Sequence, residues 1–308
     1  MKHIVSVSIG SSKRDHKTQV EILGETYVVE RRGTDGDIKR AIELVSELDG
    51  KVDAFGMGGI DVYLNAGKNR YRLRDAIPIK AAAKITPMVD GSGLKISLEK
   101  QVAHYINDNI ENLKNKKAFI LPAIDRYAMA EGFEEVGCTL TLGDLMVVLG
   151  VGIPLKSLRS LDKLAKVIAP IACRLPFEML YPTGKEQNKD TTKAGKFDRF
   201  FEENDIIAGD FHYIKQYMPP IMDNKIIVTN TVTKEDVEWL RDSGVKLLVT
   251  STPDLEGRSF GTNVIEALLV AFIGKPVENI SSQDYLDALE KINFKPRVEY
   301  LQENNLKE

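Results

Sequence analysis

Lys116 to Asp144 reads KKAFILPAIDRYAMAEGFEEVGCTLTLGD, and its spacing predicts a strand, a tight turn, an amphipathic helix and a second strand ending in Gly143-Asp144. With an acidic residue about 20 positions after the turn, this is the outline of the opening βαβ unit of a dinucleotide-binding half-domain. Pro122-Ala123-Ile124-Asp125 stands where such units carry their glycine fingerprint, and only Gly132 and Gly137 remain, in and after the helix. The stretch points to a nucleotide-binding fold and leaves the cofactor open.

Downstream, the rhythm of short buried strands and helices continues. Strands are expected over residues 205–208, 225–228 and 246–249, ending in Gly209-Asp210, Thr229-Asn230-Thr231 and Thr250-Ser251-Thr252. Thr233 and Asp236 form a capping-box pair that opens a helix closed by Gly244. Residues 147–204 form an insertion, with one helix kinked or ended by Pro170 and a polar, turn-rich loop over 186–196. A last helix over 282–292 precedes a frayed, charged end.

Upstream, three β-branched runs over 3–9, 18–23 and 27–29 predict antiparallel strands, followed by a helix capped by Asp35 or Asp37 and stopped by Gly50. Val52 to Phe55 predicts a buried strand that runs into Gly56-Met57-Gly58-Gly59. Those glycines either let a ligand approach the backbone or bend the chain into the hairpin Val62 to Leu73. Beyond a strand at 86–89, Asp90-Gly91-Ser92-Gly93 leads into a helix with Lys95 in its first turn. That geometry suits an anion at a helix N-terminus, or a plain N-cap by Asp90 or Ser92.

The expected class is α/β: an N-terminal α/β substrate domain over 1–112, then a Rossmann-like parallel-sheet domain over 113–275, then a C-terminal segment over 276–308 that returns to the first domain. The 308 residues, 43% apolar and 28% charged, are those of a globular protein, and the formal net charge of −3 gives no support for a broadly basic nucleic-acid face, with Lys185 to Arg199 left as a local lysine-rich patch. Cys138 and Cys173 are too few for a disulfide framework or a structural zinc and are expected in the core; no metal is expected. The N-terminal apolar run is too short for a signal peptide and no stretch approaches a membrane span, which gives a cytoplasmic expectation without a membrane partner.

In parallel sheets ligands bind beyond the carboxyl ends of the strands, and nearly every strand of the second half ends in polar or small residues. Asp125, Arg126, Asp144, Asp210, Asn230, Thr231, Thr250 and Thr252 are therefore the candidate cofactor residues. Asp144 is placed to hold ribose hydroxyls, preferring NAD to NADP, or to cap the helix that follows it. Asp125 opposes a pyrophosphate unless Arg126 compensates. For proton transfer the candidates are Lys95 with Asp90, or His212; Ser92, Arg258 and Asn263 are the candidate substrate residues, with Arg258 clamping a carboxylate.

The runs VDAFGMGGIDVYL, VDGSGLK, DIIAGDFHYIKQYMP, KIIVTNTVT and TPDLEGRSFGTNVIEA resemble bacterial proteins labelled quinate or shikimate 5-dehydrogenase-like. The resemblance implies an NAD(P)-dependent oxidoreductase of a small polyhydroxylated or carboxylated metabolite, with substrate between the domains. The glycine fingerprint and the catalytic lysine motif of true shikimate dehydrogenases have no counterpart here. The alternatives are a nucleotide- or metabolite-binding sensor without turnover, or a transferase using S-adenosylmethionine. The expected partner is a small-molecule substrate, with a homodimer as an option.

Overall fold

The first strand, β1 (Lys2–Ser8), is apolar enough to be buried along most of its length. It is followed by the hairpin β2 (His16–Ile22) and β3 (Glu25–Gly33). β2 alternates exposed and half-buried residues, as an outer strand does, and pairs antiparallel with β3. β1 pairs parallel with β3, in place of the antiparallel arrangement expected from sequence, because the chain reverses once between β1 and β2 and again between β2 and β3. Next come α1 (Ile38–Leu48), capped by Asp37, and β4 (Ala54–Gly58). The short hairpin β5 (Tyr63–Ala66) and β6 (Asn69–Arg72), α2 (Ala76–Ala82) and β7 (Met88–Val89) complete this part. The sheet order is β2-β3-β1-β4-β7, with β4 parallel to β1 and to β7.

α3 (Ser92–Asn109) leads to β8 (Lys117–Leu121), α4 (Tyr127–Glu135), β9 (Thr139–Leu142) and α5 (Asp144–Leu149). After α6 (Leu158–Ala172), which contains Pro170, and α7 (Asp198–Glu202), the chain forms β10 (Ile206–Gly209), α8 (Phe211–Tyr217) and β11 (Ile226–Thr229). α9 (Lys234–Asp242) opens on the capping box of Thr233 and Asp236 and leads to β12 (Leu247–Thr250). The short pair β13 (Asp254–Leu255) and β14 (Arg258–Ser259) precedes α10 (Thr262–Ile273), α11 (Ser282–Lys291) and β15 (Arg297–Tyr300).

The computed structural model describes residues 1–66, 69–175, 193–252, 254–255, 258–259 and 261–302. The chain divides into two units: Met1–Ser97, Lys166–Lys189 and Gly261–Phe294 make the first, and Leu98–Ala165, Asp190–Phe260 and Lys295–Glu308 the second. Two differences from the sequence reading follow. Residues 261–275 and part of the 147–204 insertion cluster with the first unit, so the units are not consecutive blocks. The expected charged, frayed end contains β15, an antiparallel edge strand on β12, whose four residues are too few and too charged to announce themselves.

The second sheet runs β15-β12-β11-β10-β8-β9, with every pair parallel except β12 with β15. Its parallel strands thus stand second, first, third, fourth, fifth in chain order, a doubly wound arrangement that reverses between β8 and β10. Along β8, Ala118 and Ile120 enter one apolar cluster and Phe119 and Leu121 another. Ile206, Ala208 and Ile207 divide the same way in β10. Alternate side chains face opposite sides of a strand, so a continuous apolar run is what two covered faces require. A fully buried Phe119 is worth about 2–3 kcal/mol. In the first unit, Val5, Val7, Phe55, Met57 and Val45 form the core, which Cys173 joins. Both cysteines are free and buried.

Gly56 and Gly58 lie in β4 itself, and Gly59 follows it at φ +74° in the bend that leads toward the β5–β6 hairpin. A Cβ on Gly56 would come within 2.8 Å of the Asn263 carbonyl oxygen. A Cβ on Gly91, at φ +92°, would stand 2.8 Å from the Asn263 backbone nitrogen. Small residues here let the first turn of α10 lie directly on the sheet.

Candidate functional site

In the second unit the strand ends are bonded to one another. Asp144, at the end of β9, turns its carboxylate onto the turn after β8: Oδ1 accepts the Ile124 N–H at 2.8 Å and Oδ2 the Ala123 N–H at 3.3 Å. It is 1% exposed, and burial pushes its carboxyl up to about 6 although those N–H groups favour the charged form. Both carboxylate oxygens are thus engaged by the protein's own backbone, in place of the ribose contact expected, and Gly143, not Asp144, is the N-cap of α5.

Arg126 is likewise enclosed, with 3% of its side chain exposed. Nη1 donates to Glu99, Nη2 donates to Asp210 at 2.9 Å, and Nε lies 3.5 Å from Asp125. Burial would discharge the guanidinium, but Glu99, Asp125 and Asp210 hold its pKa well above the ordinary value. Burial also pushes the Asp210 carboxyl up, and Arg126 together with His212 more than offsets it. Asn230 Nδ2 donates to Asp210 at 3.2 Å, the Thr250 hydroxyl to the Thr252 carbonyl at 2.7 Å, and the Thr252 hydroxyl to the Asn230 carbonyl at 2.7 Å. Thr250 and Thr252 are fully buried, so neither hydroxyl is presented to a ligand. Thr231 is half-buried beyond β11.

These groups do not fit a pyrophosphate. In dinucleotide folds the N–H groups of the turn after the first strand face the phosphates. Here two of them are bonded to the protein's own carboxylate, and three carboxylates surround the Arg126 guanidinium. His212 is exposed in the first turn of α8, where its N–H donates to Asp210 Oδ1 at 3.0 Å and its ring meets Tyr213 edge-on. It belongs to the second unit, whereas Lys95 and Asp90 belong to the first.

The first unit ends its strands differently. Ser8 of β1 stands in register with Gly33 of β3 and Gly58 of β4, and the chain's order reverses across β1. Lys95, in the first turn of α3, donates from Nζ to Asp61 Oδ2 at 2.6 Å, with the two side chains 14% and 26% exposed. The expected pairing of Lys95 with Asp90 is therefore replaced by Lys95 with Asp61. Asp90 is buried and accepts backbone N–H groups from Val62 at 2.6 Å, Tyr63 at 3.2 Å and Ser92 at 3.0 Å, which makes it a loop anchor.

Ser92 begins α3 and is 2% exposed. Asn263 ties α10 to β1 by donating from Nδ2 to Ser6 Oγ at 2.8 Å, a packing role in place of the expected substrate contact. Arg258 lies on β14, and its side chain is outside the described residues.

Glu266 of α10, 3% exposed, accepts the Tyr285 hydroxyl at 2.8 Å and the Gly91 N–H. Burial first, and then Asp90, push its carboxyl up to about 7, and its Oε2 has no hydrogen-bond partner among the described residues. Sequence reasoning missed both Asp61 and Glu266. The available signals were an acid just after the β4 glycines and a single charge inside the apolar run VIEALLVAFI.

Two sets of strands and helices, each layered around a largely parallel sheet, define a two-unit α/β protein. The chain belongs to the family described as "Domain of unknown function (DUF8754)", which matches residues 93–301, and residues 3–90 match "Domain of unknown function (DUF8753)". No curated protein matches. Among solved structures, the chain is similar to a galactofuranose binding protein at 13% identity and TM-score 0.36, covering 95% of this chain and 99% of that one. A glutamate dehydrogenase is similar at 12% identity and TM-score 0.41, covering 94% and 71%. A glucose-galactose binding protein from Geobacillus stearothermophilus is similar at 9% identity and TM-score 0.38, covering 99% of each chain. At these TM-scores none of them bears on what this chain binds. No helix among the described residues is long and apolar enough to cross a membrane.

Proposed function

We propose that the protein binds a small hydroxylated or carboxylated metabolite at the carboxyl edge of its first sheet, against Lys95 and Asp61. The observation that carries this reading is the Lys95–Asp61 bond of 2.6 Å, held at the strand ends with both side chains still partly exposed. An ammonium there donates to a hydroxyl or carboxylate, and the carboxylate accepts from a hydroxyl, so the pair suits an oxygen-rich ligand. The matching edge of the second sheet supports the same choice by contrast, since the Ala123 and Ile124 N–H groups are taken by Asp144 and Arg126 is ringed by carboxylates.

The test begins with mass spectrometry of small molecules carried through purification, followed by equilibrium dialysis of the compound found. Lys95→Met is expected to weaken its binding by about tenfold or more, the loss of one charge-assisted hydrogen bond. Unchanged binding in both Lys95→Met and Asp61→Asn would remove the site from this edge.

A second reading, an NAD(P)-dependent oxidoreductase of the quinate or shikimate dehydrogenase-like kind, is favoured by the same pair, which has the chemistry to exchange a proton with an alcohol or ketone. Asp144 on the Ala123 and Ile124 N–H groups stands against it. Reduction of NAD or NADP by a hydroxy acid, abolished in Lys95→Met, would establish it over the binding reading.

A further inference from the structure

The β5–β6 hairpin gathers three cations around one aromatic ring. Tyr63 of β5 stands in register with Arg72 of β6, and Arg70 lies two residues before Arg72. Directly opposed residues share one face of a hairpin, and so do residues two apart along a strand, so Tyr63, Arg70 and Arg72 project to the same side. The Arg70 guanidinium carbon lies 3.4 Å from the centroid of the Tyr63 ring, the separation of a flat stack. The Arg72 guanidinium carbon is 5.7 Å from that centroid, and Lys80 Nζ, from α2, is 5.5 Å from it. Attraction to the ring face holds each cation near its neighbours.

None of the three is taken up by the protein. Among the described residues, Arg70, Arg72 and Lys80 form no ion pair and donate no side-chain hydrogen bond, in contrast to Arg31, Arg40 and Arg126. Arg70 and Arg72 are exposed, and Lys80 is half-buried. The flanking acids have other partners. Asp61 accepts from Lys95 at 2.6 Å, Asp90 accepts three backbone N–H groups, and Asp75, at the start of α2, pairs with none of the three cations. A guanidinium stacked flat on a ring keeps its N–H donors on its rim, and cations gathered without counter-charges favour a multiply charged anion.

The hairpin is rooted at the edge that carries Lys95. Asp90 accepts the Val62 N–H at 2.6 Å and the Tyr63 N–H at 3.2 Å. Tyr63 follows Asp61 by two residues, which limits their Cα atoms to about 7 Å apart.

We infer that Arg70, Arg72 and Lys80, set around Tyr63, form a phosphate-binding site that takes the phosphate group of the metabolite whose oxygen-rich body meets Lys95 and Asp61. That the phosphate belongs to this metabolite rests on the function proposed above; the phosphate site does not. A phosphate monoester carries a charge of about −1.5 to −2 near neutral pH and three acceptor oxygens, so it engages several of these donors at once, whereas a carboxylate carries a single charge.

The test is calorimetric titration of the full chain at low salt with inorganic phosphate, and separately with acetate. The variants are Arg70→Gln and Arg72→Gln on the hairpin, Lys80→Gln on a separate element, and Lys95→Met, each checked for native circular dichroism. The expected result is saturable phosphate binding, tighter than acetate by about tenfold or more, weakened about tenfold or more in Arg70→Gln, weakened also in Arg72→Gln and Lys80→Gln, and retained in Lys95→Met. Phosphate that does not saturate at tens of millimolar, acetate bound as tightly as phosphate, or wild-type affinity in the natively folded hairpin and Lys80→Gln variants would overturn the inference. Loss of phosphate binding in Lys95→Met alone would overturn it too, by moving the anion to Lys95. Arg70-dependent phosphate binding with metabolite binding indifferent to Lys95 would instead overturn the proposed function and leave the phosphate site standing.

Discussion

At the carboxyl edge of the second sheet, Arg126 is enclosed by Glu99, Asp125 and Asp210, and Asp144 holds the N–H groups of Ala123 and Ile124. At the carboxyl edge of the first, Lys95 and Asp61 are partly exposed, and Arg70, Arg72 and Lys80 gather around Tyr63. Both sheets reverse their strand order, the feature that makes such edges ligand sites in α/β proteins. What separates them is where the polar groups find their partners. Most of those of the second edge bond one another, which fixes strand ends together, while the Arg126 Nε and the Ser251 hydroxyl are buried without a hydrogen-bond partner among the described residues. At the first edge Asp90 and Ser92 are buried, and Lys95 and Asp61 remain partly exposed. Topology alone nominates both edges, and the partly exposed Lys95–Asp61 pair is what the proposed site adds to it.

The largest effect that would break this contrast concerns Arg126. If its network is structural, Arg126→Met leaves the buried Glu99 without its cation, and stability falls by about 3–5 kcal/mol. Urea unfolding followed by circular dichroism measures it. A loss under about 1 kcal/mol would mean that the edge is looser than drawn and open to a ligand after all.

Glu266 sharpens the comparison through pH. Its carboxyl, ordinarily near 4.5, is raised to about 7 in the folded chain, so the folded state binds the proton more tightly than the unfolded one. Its contribution to stability is complete below the unfolded value and is lost as pH rises through the folded one. Asp144, raised to about 6, acts in the same direction over a lower window. Between about pH 5 and about pH 8, Glu266→Gln is expected to flatten the decline in unfolding free energy by on the order of 2 kcal/mol. A parallel decline in the variant would show that Glu266 ionises without hindrance.

The architecture of the second unit was legible because strands covered on both faces give unbroken apolar runs, such as those around Phe119 and Ile207. Thr233 with Asp236 gave the start of α9 for a local reason, a reciprocal cap three residues long. The direction of β1 relative to β3 was not legible, since pairing depends on a return path that no spacing encodes. β15 stayed hidden because an edge strand of four residues with charged members carries no periodicity. At the sites, sequence placed Asp144, Asp210, Asn230 and Thr252 at strand ends but not their orientation, and they turn to one another. Lys95 was visible and its partner was not. Arg70, Arg72 and Lys80 belong to two elements and meet only around Tyr63.

Lys95→Met separates binding from stability at the first edge. The pair it breaks is partly solvated, so the cost to folding is expected within about 1 kcal/mol. The same change is expected to weaken metabolite binding by about tenfold or more. A large stability loss would make Lys95–Asp61 a second structural network like that of Arg126, and the contrast between the edges would fail.

The smallest expected effect is a null one. A ligand that binds only the folded chain raises its stability by an amount set by concentration over Kd, about 2.7 kcal/mol at a hundredfold excess. NAD and NADP, each at millimolar concentration, are expected to move the melting temperature by less than about 1 °C, because a pyrophosphate at the turn after β8 meets the Asp144 carboxylate in place of free N–H groups. A shift of several degrees with wild-type protein would show that the second edge opens to a dinucleotide. Asp144→Ala isolates the cause by freeing the Ala123 and Ile124 N–H groups. A shift gained only in that variant assigns the closure to the Asp144 carboxylate, whereas none in either protein assigns it to the carboxylates around Arg126, which repel the phosphates whether or not the turn is free.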